Sequence, residues 1–353
     1  MRNALGLMVI TVVSAALIAG VWFWTARPPV RLAASAPATT AAAPSERLSP
    51  AAAARAAAKD TVDTTAAIPE KPAVAPAAAA PAVVAQAGPP CTNPDALGVS
   101  RVVEVDTTGG PGFGSEHFKQ FDFLQDKEVV LTFDDSPWPV NTPAVLKALA
   151  DQCTKAVFFS IGKHASYHPE LLRQVLAAGH TVGTHTWSHV NLNGKKMTEQ
   201  QVKDEIEKGF SAVKLALGTA PAPFFRFPEL QHNPWAVAYL GQRNVAIFSC
   251  DLDSFDFRKT STPDKVVQTV MSKLDKLGKG IILMHDFQKH TADALPELLR
   301  RLKAGGYKVV QMKAKQPLET LAEYDEMMRK DESKIPVAAA GRPVSSVVQT
   351  VSQ

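Results

Sequence analysis

The stretch EVVLTFDDSPWP, from Glu128 to Pro139, runs apolar and β-branched residues and a Phe straight into two adjacent carboxylates, Asp134 and Asp135. A short continuous apolar run bounded by turn residues reads as a buried strand, the kind found in parallel sheets. Two acids at the end of such a strand need either charged partners or a ligand, because isolated buried carboxylates are costly.

Outward from this strand, short apolar runs alternate with helical patterns. Candidate strands are 128–133, 156–161, 181–184, 224–227, 245–250, 280–284 and 307–310. Between them, Thr142-Pro143 and Thr262-Pro263 each place a capping hydroxyl before a first-turn proline. Thr198 with Gln201 makes a capping box ahead of Val202, Ile206, Phe210, Val213 and Leu217 on one helical face. Seven strands separated by helices predict an α/β fold with parallel pairing. A closed or nearly closed β/α barrel fits better than an open sheet, although periodicity alone does not separate the two. In either case the C-terminal strand ends share one face, where such folds place their sites.

The rest of the chain differs in composition. Ala4 to Ala26 carries no charge and ends in Trp22, Phe23 and Trp24. That run is long enough to cross a bilayer, and its aromatic end suits a membrane interface. It is read as an uncleaved signal anchor, 1–26, with a cleaved signal peptide as the alternative. Residues 27–90 are dominated by Ala and Pro and lack large apolar side chains at any period. They read as a disordered tether, because such a segment cannot repay its ordering entropy. The expected layout is therefore an anchor, a tether, a folded domain at 91–315 and a tail at 316–353. The domain is expected on the periplasmic side of the cytoplasmic membrane. The tail contains one helix candidate, residues 318–332, and implies no function.

A net charge of +4 over 353 residues, without a Lys/Arg stripe, does not argue for nucleic acid. No protein partner is expected. Cys91, Cys153 and Cys250 lack CxxC spacing, so a cysteine metal site is not expected. In an exported domain one disulfide and one free thiol fit, and Cys91 with Cys153 is the pairing expected, although sequence does not fix it.

Chemistry-bearing residues gather at the strand ends: Asp134 and Asp135, His185 and His189, Arg226, Asp253 and Asp256, then His285 and Asp286. HTWSH sets two histidines four residues apart, which on a helical turn would aim both imidazoles at one ion. Two His and one carboxylate leave an open position, as in catalytic zinc sites. Adjacent Asp134 and Asp135 diverge, so one serves as ligand while the other takes a proton. The competing reading of either aspartate alone is a helix cap. His117, His164, His168, His180, His232 and His290 are read as surface, cap or core residues, His232 and His290 being the two that stand closest to exceptions. Trp138 and Trp187 could stack on a ligand ring or pack in the core. Asp286 is read as a cap or backbone partner.

These residues resemble the polysaccharide deacetylases of carbohydrate esterase family 4, the NodB-homology domain. TFDDS, HTWSH, RFPELQHN, DLDSFDF and ILMHD resemble five family motifs in family order across about residues 127–312. The resemblance implies a distorted (β/α)7 barrel that hydrolyses an N-acetyl group on an amino sugar. It implies Asp134 as general base tethered by Arg226, and Asp135, His185 and His189 as metal ligands. His285 would be the general acid, tuned by Asp256, with the metal and the backbone N–H of Glu229 facing the oxyanion. Zinc is the expected metal, with cobalt, nickel or manganese able to use the same ligands.

Three residues depart from the family pattern. Ser136 stands for a glycine, Phe257 for a tryptophan at the substrate side, and Glu229-Leu230 for an aromatic and a glycine. A turn that needs positive φ would not be expected to accept Leu230 unchanged. The Glu229 carboxylate is expected to reach the groove and favour a glycan carrying a free amine or another cation. The substrate expected is an acetylated glycan: peptidoglycan, a chitin-like oligomer or an exopolysaccharide. Two alternatives are a glycan-binding pseudoenzyme and an O-acetyl esterase using the same site.

Overall fold

The computed structural model describes residues 91–119 and 122–332. The expected anchor, the tether and the end of the tail lie outside those residues. Among the described residues no helix is long and apolar enough to cross a membrane.

Among the described residues ten strands form one sheet, in which the ladders are parallel. The seven expected strands are β3 (Glu128–Ser136), β4 (Val157–Ser160), β5 (Thr181–Thr184), β6 (Phe224–Phe225), β7 (Ala246–Phe248), β9 (Gly280–His285) and β10 (Lys308–Ala314). Three more were not legible: β1 (Arg101–Val105), a half-exposed strand beside β10, and the two-residue strands β2 (Gly112–Phe113) and β8 (Leu252–Asp253). Two residues carry no readable period, so only pairing defines such strands.

Along the sheet β3 is followed by β4, β5, β6, β7 and β2 on one side. Its other side pairs with β9, then β8, while β10 joins its first residues. The two ends of the sheet meet at residues 249–251. Ser249 N–H donates to Phe113 O in β2, and Asp251 N–H to Ile281 O in β9. Among the described residues no ladder joins β2 or β7 to β8.

Alternation sorts the strand residues into two cores. Val130, Val157, Phe159, Phe248, Ile281 and Val310 cluster on one face of the sheet. Val129, Leu131, Phe133 and Phe158 face the other way. There they pack with Leu149 of α1 (Asn141–Asp151), Leu172 of α3 (Pro169–Ala177), Val270 of α6 (Pro263–Leu277) and Leu295 of α7 (Lys289–Ala304), α2 being Gly162–Tyr167. Each fully buried aromatic contributes roughly 1.5–3 kcal/mol relative to exposure.

The capping box opens α4 (Glu199–Leu217) as expected, and its five face residues are all buried. Thr262 caps α6 through Lys265 N–H. Thr142 differs. It lies inside α1, whose cap position, Val140, makes no side-chain bond. Its hydroxyl instead accepts from Trp138 N–H at 2.7 Å and donates to Asp286 at 2.6 Å. The hydroxyl oxygen is thus taken by the Trp138 N–H and its proton by Asp286, so it ties the start of α1 to a distant strand end instead of capping the helix. Downstream come α5 (Pro234–Gln242) and α8 (Ala322–Glu332). Helix α8 is the candidate read in the tail, and it packs on α4 through Tyr324 OH to Asp204 at 2.7 Å and a Lys214–Asp325 ion pair at 2.7 Å. Cys91 is bonded to Cys153, and Cys250 is a buried free thiol.

Candidate active site

Strand β3 carries Val130, Thr132 and Asp134 on one face by its two-residue period. Arg226, fully buried just after β6, uses that spacing. Its Nη1 donates to Thr132 Oγ1 and to Asp134 Oδ1, both at 2.7 Å. Nε and Nη2 donate to the Phe248 and Ser249 carbonyls, and the guanidinium lies over the Phe159 ring. Every arm of the fork is therefore engaged, which fixes the Asp134 carboxylate.

Simple alternation would send Asp135 to the opposite face. Instead the ladder to β4 shifts register between Asp134 and Ser136, and Asp135 takes φ 71°. This bulge turns both carboxylates into one cavity. His164 Nδ1 donates to the Asp135 carbonyl at 2.7 Å, and the Ser136 hydroxyl bonds that of Ser160. Ser136 thus occupies the glycine's place with its hydroxyl satisfied.

The two histidines do not lie on a helical turn. Residues 185–189 form a bent loop with Thr186 and His189 at positive φ. The loop is pinned to α4: Trp187 N–H donates to Glu205 O, and Ser188 N–H and Oγ donate to the Glu205 carboxylate at 2.9 and 2.8 Å. Gly209, one turn on, allows the close approach, since a Cβ there would stand 2.6 Å from Thr186 C.

His185 and His189 nevertheless converge with Asp135. Their Nε2 atoms lie 3.7 and 3.5 Å from Asp135 Oδ1, and the three ligand atoms are within 4.8 Å of one another. His185 Nδ1 donates to the Arg226 carbonyl at 2.7 Å, which leaves the Nε2 lone pair facing the cluster. Burial pushes its imidazole below the ordinary range, toward the neutral form a metal needs. Asp135 Oδ1 is buried and has no hydrogen-bond partner. An orphaned carboxylate oxygen beside two imidazole lone pairs fits a divalent cation.

His285 pairs with Asp134 in the β3–β9 register, so proposed acid and base end neighbouring strands. Its Nδ1 donates to Asp256 Oδ1 at 2.6 Å and its backbone N–H to Oδ2 at 2.6 Å. Thr291 also donates to Oδ2, and His290 Nε2 to the Asp256 carbonyl. Burial alone would lower the His285 imidazole, but the Asp256 carboxylate and its hydrogen bond carry it up to about 10. Asp256 is correspondingly held low by His285 despite its burial.

A cavity of about 450 Å³ gathers Asp134, Asp135, His185, His189 and His285 with Glu229, Leu230, Asp253, Phe257 and Phe287. Glu229 and Leu230 adopt φ 55° and 54°. The turn thus keeps its left-handed shape without glycine, contrary to expectation; the Leu230 and Gln231 N–H groups close it onto Phe227 and Pro228 O. The Glu229 carboxylate accepts from Asn191 Nδ2 at 2.7 Å. Phe257 is half exposed, 5.7 Å from His285 between ring centroids.

Several supports were not read from the sequence. Thr132 was signalled by its place two residues before Asp134, whereas His164, Glu205 and Thr291 come from other elements and gave no sign. His232 stacks on His117 and packs against Phe227, and burial lowers it to about 4. Asp286 accepts from the Thr142 side chain rather than from backbone, and burial raises it to about 8. Trp187 packs over Gly162, where a Cβ would meet its ring at 2.7 Å.

With fold and site in place, comparison with known proteins is direct. Residues 124–246 match the family model described as polysaccharide deacetylase. The chain is 32% identical over 214 residues to a chitooligosaccharide deacetylase of Sinorhizobium fredii, covering 54% of this chain and 95% of that protein. The chain belongs to the polysaccharide deacetylase family. It is also 33% identical over 184 residues to the peptidoglycan-N-acetylglucosamine deacetylase PgdA of Listeria monocytogenes. That match covers 52% of this chain but only 38% of the relative. Among solved structures, the peptidoglycan deacetylase Bd3279 of Bdellovibrio bacteriovorus aligns with a TM-score of 0.55 and 32% identity, over 62% of this chain and 59% of that one.

Proposed function

We propose that this protein is a metal-dependent deacetylase of an N-acetylated glycan outside the cytoplasm. The observation that carries the reading is the joining, in one cavity, of the Asp135, His185 and His189 cluster with Asp134 and His285, each held from behind by a buried partner, Arg226 and Asp256. A glycan-binding protein has no use for a base, an acid and a ligand set together.

A divalent cation held by those three ligands, zinc by default, supplies Lewis-acid polarisation of the acetamide carbonyl and acidifies water. The residues do the rest. Asp134, positioned and charge-balanced by Arg226, takes the proton of the attacking water. The Glu229 N–H would meet the oxyanion. His285 gives its Nε2 proton to the departing nitrogen while Asp256 holds Nδ1 and the ring orientation. The C–N bond breaks, and acetate and a free amine result. Phe257 offers an aromatic wall to the sugar.

The layout that goes with this chemistry is an anchor at 1–26 in the cytoplasmic membrane and a tether at 27–90. A distorted barrel at 91–315 and a tail at 316–353 complete it. The uncharged apolar run and the disulfide support an extracytoplasmic place. Acetate release from N-acetylglucosamine oligomers and peptidoglycan, with and without chelator, tests the reading. The purified protein should release acetate, lose that activity to chelator and regain it with zinc. Asp134→Asn should fall by about 10²–10⁴-fold. Release from O-acetyl esters alone would make it an esterase, and glycan binding without release would make it a binder.

A further inference from the structure

The rings around the cavity continue past it. From His285 the Phe287 ring lies 6.1 Å away, and Trp138 lies 6.3 Å beyond Phe287, both edge to face. Phe287 lines the cavity, whereas Trp138 stands outside it, 40% exposed and packed against His164 and His168, and Val140 two residues on is 80% exposed. An exposed tryptophan next to an exposed valine is an apolar surface that a solvated loop does not need.

This surface is also built. Trp138 N–H donates to the Thr142 hydroxyl, which donates in turn to the fully buried Asp286 carboxylate. Asn141 Nδ2 donates to the Phe287 carbonyl. Two loops far apart in sequence are thereby tied so that Trp138 and Phe287 stand side by side. Val140, a β-branched residue, is held at φ 69°, a conformation maintained only where the surroundings enforce it.

We infer that the exposed Trp138 ring forms a stacking platform for the glycan residue next to the one being deacetylated, with the edge-on Phe287 ring linking it to the cavity. The inference rests on the proposed deacetylase reading. The occupant follows from continuity: the platform begins in the cavity that takes the acetylated sugar, and it carries no charged side chain of its own. A pyranose presents a face of C–H groups, which an aromatic face attracts through its negative quadrupole. A polymer threaded through the cavity therefore meets these rings with its neighbouring unit.

The test is the length dependence of Trp138→Ala and Trp138→Phe on N-acetylglucosamine oligomers from dimer to hexamer, beside hexamer binding by calorimetry. Trp138→Ala should raise the hexamer KM and Kd by about three- to tenfold, the worth of one stacking contact. The loss should sit in KM rather than kcat, grow with oligomer length, and be largely restored by Phe. Equal loss at every length, or hexamer binding as tight as the parent's, would overturn the platform. If the parent releases no acetate, the deacetylase reading falls instead, and the calorimetric comparison still decides the platform.

Discussion

Asp134 and Asp135 are neighbours in the chain with different surroundings, and so with different proposed work. Asp134 is spoken for by a fully buried guanidinium, while Asp135 keeps an oxygen with no hydrogen-bond partner. The acid is arranged by the same kind of local pairing. Because the His285 imidazole sits at about 10, above its ordinary value, its pairing with Asp256 stabilises the fold in full below about pH 6.5. That contribution is lost as pH rises through about 10. Asp256→Asn should therefore flatten the alkaline fall in Tm and move the alkaline limb of kcat/KM to lower pH. A limb that stays in place would remove His285 as the titrating acid. Glu229 adds a second test at this scale. With Asp253 it adds a carboxylate at the cavity beyond the catalytic set. Glu229→Gln should weaken action on partly deacetylated oligomers by about two- to fivefold more than on fully acetylated ones. Equal losses on both would end the proposed preference for cationic glycans.

An element that shapes the proposed metal site is α4, although it contributes no proposed ligand. Glu205 pins the loop between His185 and His189 at three points, and Gly209 lets the Thr186 backbone lie against the helix. The helix itself is secured by its capping box and by a face of buried apolar residues. Gly209→Ala must push the loop away, because the new methyl would stand 2.6 Å from a backbone atom. Zinc affinity measured by chelator competition should fall about 10- to 100-fold, the usual cost of disturbing the support behind metal ligands. Unchanged affinity would show that the loop holds its shape without the helix. The turn at Glu229 and Leu230 makes a related point. Its shape is enforced by the bonds that close it and by its packed flanks, so a residue that disfavours positive φ is accommodated.

At the scale of the molecule, the Cys91–Cys153 bond closes 62 residues, from the segment before β1 to the end of α1. Constraining a loop of that size in the unfolded chain stabilises the fold by about 2–4 kcal/mol. Denaturant midpoints with and without reductant should differ accordingly; coincident midpoints would show that the bond contributes nothing. The seven principal strands, the capping box of α4 and the Thr262 cap were legible in the sequence, because period and cap chemistry are local. The charged and imidazole groups that meet in the cavity were legible too, since parallel strands bring their C-terminal ends to one face wherever they fall in the chain, whereas apolar lining residues such as Phe287 were not. What the sequence by itself determined is therefore the α/β class and the set of chemical groups gathered at that face. Tertiary structure decided how those groups are aimed. The bulge that turns Asp135 beside Asp134, the bent rather than helical path from His185 to His189, and the capture of Thr142 by Asp286 all depend on partners distant in sequence. So do β2 and β8, which are too short to have a period and exist only through pairing. A hydrogen bond or a close packing contact across such separations leaves no periodic trace in the residues that make it, so only the folded chain reveals it.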